Sequence, residues 1–238
     1  MRRQTILLTK KIIATVKVLS VELLVLLVAF IASFVTVLFF IKLIFLDKKD
    51  HFDLHVFDLI SPFVSHNMTI VMNFFTFFGG QYFLIPANLA LIVYTFFIAK
   101  DRWFSIKIVS VALSSLLLMF FLKFVFKRPR PLIPLLEQVG GLSFPSGHAF
   151  MSFAFFGLLI YMAYKKIKDP WLRYFFMLFF FLMTTFVGFS RVYLRVHYAS
   201  DVLVGFSLSL IWLVISLAIL AKIEQKGRAQ PINEEIQA

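Results

Sequence analysis

His197 and Asp201 stand four positions apart, immediately before a run of twenty apolar or small residues from Val202 to Ala221. On a helix this spacing puts carboxylate and imidazole on one face, one turn apart, where the acid can accept a ring N–H and fix the tautomer. The other ring nitrogen is then free to act as a nucleophile or base. A second histidine closes the stretch Pro145, Ser146, Gly147, His148 ahead of another apolar run. That reads as a helix start whose glycine lets an anion approach exposed N–H groups at the positive end of the helix dipole. A third stretch, KFVFKRPRP at 123–131, holds Lys123 and Arg130 seven positions apart, with Pro129 and Pro131 stiffening the turn. An ammonium and a guanidinium on rigid backbone match the several oxygens of a phosphoryl group. Each stretch alone also has a structural reading. The His–Asp pair and the Pro-Ser-Gly-His stretch could cap helix ends, and the cations could anchor lipid headgroups.

These residues must be positioned by elements built for hydrocarbon. The 238 residues are 61% hydrophobic and only 15% charged, with 33 phenylalanines, which excludes a soluble globular domain and identifies an integral membrane protein. There is no cysteine, so neither disulfide nor thiolate chemistry is available and any reaction rests on histidine and carboxylate. By the ruler of ~20 apolar residues per span, six spans fit, near 19–46, 82–99, 104–122, 149–164, 171–189 and 202–221. The fold expected is all-α, a six-helix membrane bundle forming one domain over 19–222. Residues 1–18 form a cytoplasmic segment and 223–238 a polar, mobile cytoplasmic tail. The first apolar run lacks a small-residue cleavage site and exceeds a signal-peptide core, so it is expected to be retained as a span.

The formal charge is +12. With both termini cytoplasmic, fifteen of the twenty-four basic residues fall in the N-terminal stretch, the short inside loops and the tail, as positive-inside topology requires. Six of the rest, Lys123, Lys127, Arg128, Arg130, Arg191 and Arg195, crowd into two short stretches on the other face. Orientation does not explain them. The topology alone gathers the three chemical stretches at that face, since each joins the outer end of a span.

Taken in order, Lys123, Arg130 and Pro131, then Pro145, Ser146, Gly147 and His148, then Ser190, Arg191, His197 and Asp201 resemble the motifs of the type 2 phosphatidic acid phosphatase superfamily. The motifs cover 123–201, and the six-helix layout extends the likeness to most of the chain. The resemblance implies a membrane lipid phosphatase in which His197 is the nucleophile, Asp201 its orienting partner and His148 the acid and then the base. Lys123, Arg130, Ser146, Gly147 and Arg191 would hold the phosphoryl oxygens. It implies no metal and no cofactor, and family substrates include phosphatidate, phosphatidylglycerophosphate and undecaprenyl diphosphate. The partners expected are the bilayer and a lipid substrate, with neither nucleic acid nor an obligate protein partner.

Other readings remain open at this point. Phosphotransfer to a second lipid would use the same phosphohistidine, while a non-catalytic protein would only bind anionic lipid or pass it across. Vanadium-dependent haloperoxidases share the motif but are soluble. Between the first two spans, residues 47–80 carry apolar positions at Phe52, Val56, Leu59, Ile60 and Phe63, which suits one or two interfacial helices ending at Gly79–Gly80. Asp47, Asp50, His51, Asp53, His55 and Asp58 in this segment read as a solvated helix face rather than a metal site, although His51 and His55 have metal-ligand spacing. Glu22 reads as a tolerated boundary residue. Lys127, Arg128 and Arg195 lie outside the motif positions and are expected to steer anionic headgroups.

Overall fold

The computed structural model describes the backbone of residues 2–237 except 133 and 136–139, and side chains within 21–228. It is helical throughout its regular elements. Helix α1 (Arg2–Ile41) passes through a π-turn (Lys42–Leu46), followed by α2 (His51–Ile60), a 3-10 turn (Ser61–Phe63) and α3 (His66–Phe77). After Gly79–Gly80 come α4 (Gln81–Val93) with a second π-turn (Tyr94–Ile98), α5 (Arg102–Phe126), α6 (Gly147–Lys166), α7 (Pro170–Tyr193) and α8 (Ala199–Gln237). Side-chain caps mark several starts. Asp101 accepts from Phe104 N at 3.0 Å, Asp169 from Leu172 N at 2.7 Å, and Ser65 from Met68 N at 3.3 Å. Pro170 occupies the first turn of α7, where its missing N–H costs nothing.

Six helical stretches are long and apolar enough to cross a membrane: Val21–Leu46, His66–Ile98, Arg102–Phe126, Gly147–Lys166, Pro170–Tyr193 and Ala199–Arg228. The second begins sixteen residues before the expected Tyr82, because α3 joins α4 across the glycines. The interfacial segment therefore reduces to α2 and its flanking turns. α8 stays helical to Gln237, through residues expected to form a mobile tail. The basic side chains at Arg2, Arg3, Lys10, Lys11 and Lys17 lie outside the described ones.

Burial ranks the helices. Half of the apolar window of α6 is buried, against 11% in each of the first two spans, so α6 is the central helix and α1, α3 and α4 present wide faces to lipid. Val111, Ala154, Leu158 and Leu213 pack α5, α6 and α8 together, and Ala149, Val192, Ala199 and Val202 join α6, α7 and α8 beneath the motif residues. Lipid is as apolar as leucine, so close packing and cross-helix hydrogen bonds rather than water exclusion hold such a bundle. Gly188 admits Phe206 and Gly205 admits the Ser146 carbonyl, where an added Cβ would sit 2.2 Å and 3.0 Å from them. Ser152 bonds Thr184 at 3.2 Å between α6 and α7, and Trp212 donates to Ser114 at 3.0 Å between α8 and α5.

The segment before the second span is fastened down. The Tyr193 hydroxyl, at the end of α7, accepts from Ser65 N at 3.0 Å, and Arg195 donates to Ser61 at 3.1 Å. Met72 of α3 packs on Tyr193, Leu194 and Val196, and Phe75 stacks on Phe186 at 4.7 Å.

Candidate active site

The site lies where α5 ends, α6 begins, and α7 turns into α8. Lys127 ends α5 in the left-handed region (φ 46°), and Ser143 N donates to the Arg128 carbonyl at 2.8 Å, drawing the segment before α6 back beside it. Ser146 N donates to the Asp201 carbonyl at 3.0 Å, stitching the start of α6 to the start of α8. At the α7 turn, Val196 N and His197 N both reach the Arg191 carbonyl, at 3.1 and 3.3 Å. The α5–α6 and α7–α8 connections, distant in sequence, thus share a backbone bond.

His197 is 1% exposed and Asp201 is fully buried. Their closest approach, Nδ1 to Oδ2, is 3.6 Å, longer than a hydrogen bond. Ser143 bridges the gap: its hydroxyl donates to Asp201 Oδ2 in a short bond and lies 3.4 Å from Nδ1, whose proton it can accept. Asp201 Oδ2 also accepts Tyr198 N at 2.9 Å. On the other side of the ring, Arg130 Nη1 approaches Nε2 at 3.4 Å while holding the Val196 carbonyl at 2.7 Å. Guanidinium cannot accept, so Nε2 faces it as the lone-pair nitrogen and the ring proton belongs on Nδ1. Burial depresses the imidazole, Asp201 pulls it back, and Arg191 and Arg130 add to the depression, leaving His197 pushed down to about 4. It is neutral at physiological pH.

Among the described residues, the cations gathered beside His197 and His148 have no carboxylate partners of their own. Lys123 donates to the Leu142 carbonyl at 2.6 Å, and Arg130 Nε to the Gly141 carbonyl at 3.2 Å. Arg191, 4% exposed, donates to Thr76 of α3 at 2.7 Å, while its buried Nε has no partner among the described residues. A buried donor left idle costs ~1–3 kcal/mol unless a ligand takes it up. His148 lies within electrostatic range of Arg191, His197, Arg130 and Lys123. Behind its ring is the α3–α4 turn: a Cβ on Gly79 would lie 3.2 Å from His148 and 2.4 Å from Val187. Gly147 and His148 begin α6 ahead of its first intrahelical bond, Phe150 N to the Ser146 carbonyl at 2.9 Å. Ser146 is fully buried, and its hydroxyl caps α6 by accepting from Ala149 N at 3.5 Å.

Two residues read as surface features turn out to be buried in this centre. Arg128 is 8% exposed and donates through Nη1 to Asp201 Oδ1 at 2.6 Å and through Nη2 to Asp53 at 2.8 Å. Asp53, expected on a solvated face of α2, is 2% exposed and also accepts from Ser200 N and Oγ at 2.9 and 2.6 Å. The Asp201 and Asp53 carboxylates outweigh burial and hold the Arg128 guanidinium more firmly protonated than usual. His51 and His55 stay exposed, and among the described residues no group of three His, Asp or Glu could hold a metal ion.

The PAP2 superfamily model matches residues 22–225. The chain belongs to the PAP2 superfamily. A PAP2 relative named phosphatidylglycerophosphatase B from Bacillus subtilis (strain 168) is 33% identical over 144 residues, covering 59% of this chain and 70% of that protein. The crystal structure described as the first transmembrane PAP2-type phosphatidylglycerolphosphate phosphatase, from Bacillus subtilis, superposes with a TM-score of 0.72 at 26% identity. It covers 82% of this chain and 96% of that one. LpxE of Aquifex aeolicus superposes with a TM-score of 0.53 at 28% identity, over 69% of this chain and 94% of its own. This PAP2 chain is therefore a multi-pass membrane protein of a lipid phosphatase family.

Within the PAP2 motifs the structure brings Lys123, Arg130, Arg191, His197 and Asp201 together, with His148 beside them. Sequence reasoning missed Asp53, Arg128, Ser143 and Ser200. Ser143 stands three residues ahead of Ser146, an available but faint signal. Asp53 carried none, because its partners lie 75 and 147 positions away.

Proposed function

We propose that this protein hydrolyses the terminal phosphate of a membrane lipid phosphate, with phosphatidylglycerophosphate the first candidate and phosphatidate and undecaprenyl diphosphate the others. One observation carries the reading: Lys123 of α5, Arg130 of the loop after it and Arg191 of α7 gather beside a buried, neutral imidazole, with Arg130 against its Nε2, and among the described residues none of the three has a carboxylate partner. That is a site short of an anion. The name of the Bacillus relative supports the choice of lipid.

Hydrolysis of a phosphate ester needs transition-state stabilisation on the order of 20 kcal/mol. Nε2 of His197 attacks phosphorus, forming the N–P bond as the P–O bond to the lipid breaks. His148 gives its proton to the departing oxygen. Lys123, Arg130 and Arg191 hold the equatorial oxygens, with the Gly147 N–H and Ser146 at the helix start, as charge redistributes. Asp201, through Ser143, stabilises the positive charge on the ring. Water then attacks phosphorus, His148 takes the water proton, the P–N bond breaks and inorganic phosphate leaves. No step requires a metal. With both termini cytoplasmic the site opens at the extracytoplasmic surface, where the lipid chains stay in the bilayer and only the headgroup enters.

The test is phosphate release by purified protein in mixed micelles of each candidate lipid, with EDTA present. Release that persists in EDTA, prefers one lipid and vanishes in His197→Ala is expected. Equal release by His197→Ala contradicts the reading, and label passing to an acceptor lipid rather than to phosphate would show a transferase.

A further inference from the structure

The motif residues do not account for the charge buried behind His197. Two carboxylates, Asp53 and Asp201, share one guanidinium, and Ser200 ties the group together by donating to Asp53 at 2.6 Å while accepting from Arg128 at 2.9 Å. The Tyr198 ring fixes the plane of Arg128, whose central carbon sits 4.0 Å from its centroid. The oxygens of Asp201 are divided between tasks. Oδ1 takes Arg128, and Oδ2 takes Ser143, Tyr198 N and the approach of His197.

Tethering α2 to α8 does not require this arrangement, since the two Asp53–Ser200 bonds already do that. A guanidinium on Oδ1 draws negative charge away from Oδ2 and weakens it as the acceptor behind the ring. A second carboxylate on the same guanidinium offsets that effect. Resting on the reading of His197 as nucleophile, we propose that Asp53 and Arg128 are positioning residues that set the charge Asp201 presents to His197. Arg128 fixes the carboxylate, and Asp53 keeps Arg128 from neutralising it. The group then carries one net negative charge, directed at Nδ1.

Among the described residues, the other charged or titratable groups near His197 are Arg130 from the loop after α5, Arg191 from α7 and His148 from α6, with Lys123 of α5 beside Arg130 and Arg191. From α3, Thr76 accepts from Arg191. Among the described residues, Asp201 is thus the carboxylate that approaches the ring, and Asp53 is the carboxylate behind it. Loss of either acidic charge should therefore be felt at Nε2.

The experiment is the pH profile of kcat/KM for micellar lipid phosphate, for wild type, Asp53→Asn, Arg128→Gln, Arg128→Lys, the Asp53→Asn/Arg128→Gln double variant and His197→Ala. Asp53→Asn should move the acid limb to lower pH and Arg128→Gln to higher pH, each by roughly 0.5–1 unit. The double variant should return towards wild type, and Arg128→Lys, which keeps the charge, should hold the wild-type limb at reduced kcat. Purely structural residues would lower kcat with no opposed shifts and make the double variant the worst of the set, which overturns the proposal. If Asp53→Asn does not fold, the Arg128 pair decides: a raised limb in Gln but not Lys supports it, and identical limbs overturn it. Undiminished turnover in His197→Ala would instead reject the nucleophile reading itself.

Discussion

The two ends of the bundle treat charge differently. At the end away from the motifs, three cations meet carboxylates. Lys107 and Glu224 pair at 2.6 Å between α5 and α8, Lys166 and Asp101 at 2.5 Å, and Arg228 adds a second contact to Glu224 at 2.7 Å. Glu22, read as a boundary residue, accepts the Tyr164 hydroxyl at 2.5 Å. At the motif end, among the described residues, only Arg128 has carboxylate partners, while Lys123, Arg130 and Arg191 are held by carbonyl or hydroxyl oxygens, which leave their charge uncompensated. The same helices supply both ends. Paired charge fastens helix to helix, whereas surplus charge costs stability until an anion arrives.

The contrast can be broken most severely at Arg191. Arg191→Ala should lower kcat/KM by ~10²–10³-fold, the loss expected when one donor to the transition state is removed. Arg191→Lys should recover only part, since an ammonium cannot supply the fork. Lipid phosphate hydrolysis by the purified variants measures both.

Surplus charge should also make the motif end the place where an anion stabilises the fold. Vanadate or phosphate at ~100 times its dissociation constant adds about 2.7 kcal/mol, seen as a higher Tm in wild type and not in Arg191→Ala. A smaller effect is expected at the paired end. Glu224→Gln should cost about 1–2 kcal/mol and lower Tm with kcat unchanged, less than for a fully buried pair because Glu224 keeps 18% exposure.

The pH dependence follows from His197. Its imidazole is depressed to about 4 in the folded protein against an ordinary 6.5, so the unfolded chain binds the extra proton between those values. Stability from this group is complete above pH 6.5 and is lost as pH falls towards 4. The acid limb of kcat/KM, which reports the free enzyme, should accordingly lie below pH 5. A limb near 6.5 would mean that the ring is not desolvated as described.

Much of this was legible in the sequence for identifiable reasons. Six apolar runs announce six spans, since no other environment accommodates them, and Lys123, Arg130, His148, Arg191, His197 and Asp201 follow local spacings. Where the reading failed, the information was not local. Asp53 sits in a polar stretch with three other aspartates, and only folding shows that it alone turns inward to Arg128. Arg128 itself stands in the run Lys127, Arg128, Pro129, Arg130, where sequence cannot tell which cation is buried. The glycines at 79 and 80 read as an ending, yet in the structure they join α3 to α4 and make room for the His148 ring. The join extended the second span.

The most direct measurement is a rapid-quench search for a phosphorylated chain during turnover of lipid labelled at its terminal phosphate. An N–P bond survives base and is lost in acid. Label with that stability on wild type, absent from His197→Ala and increased in His148→Ala, is the predicted result. Full turnover with no label at any quench time, or label that persists in His197→Ala, would contradict a covalent role for His197.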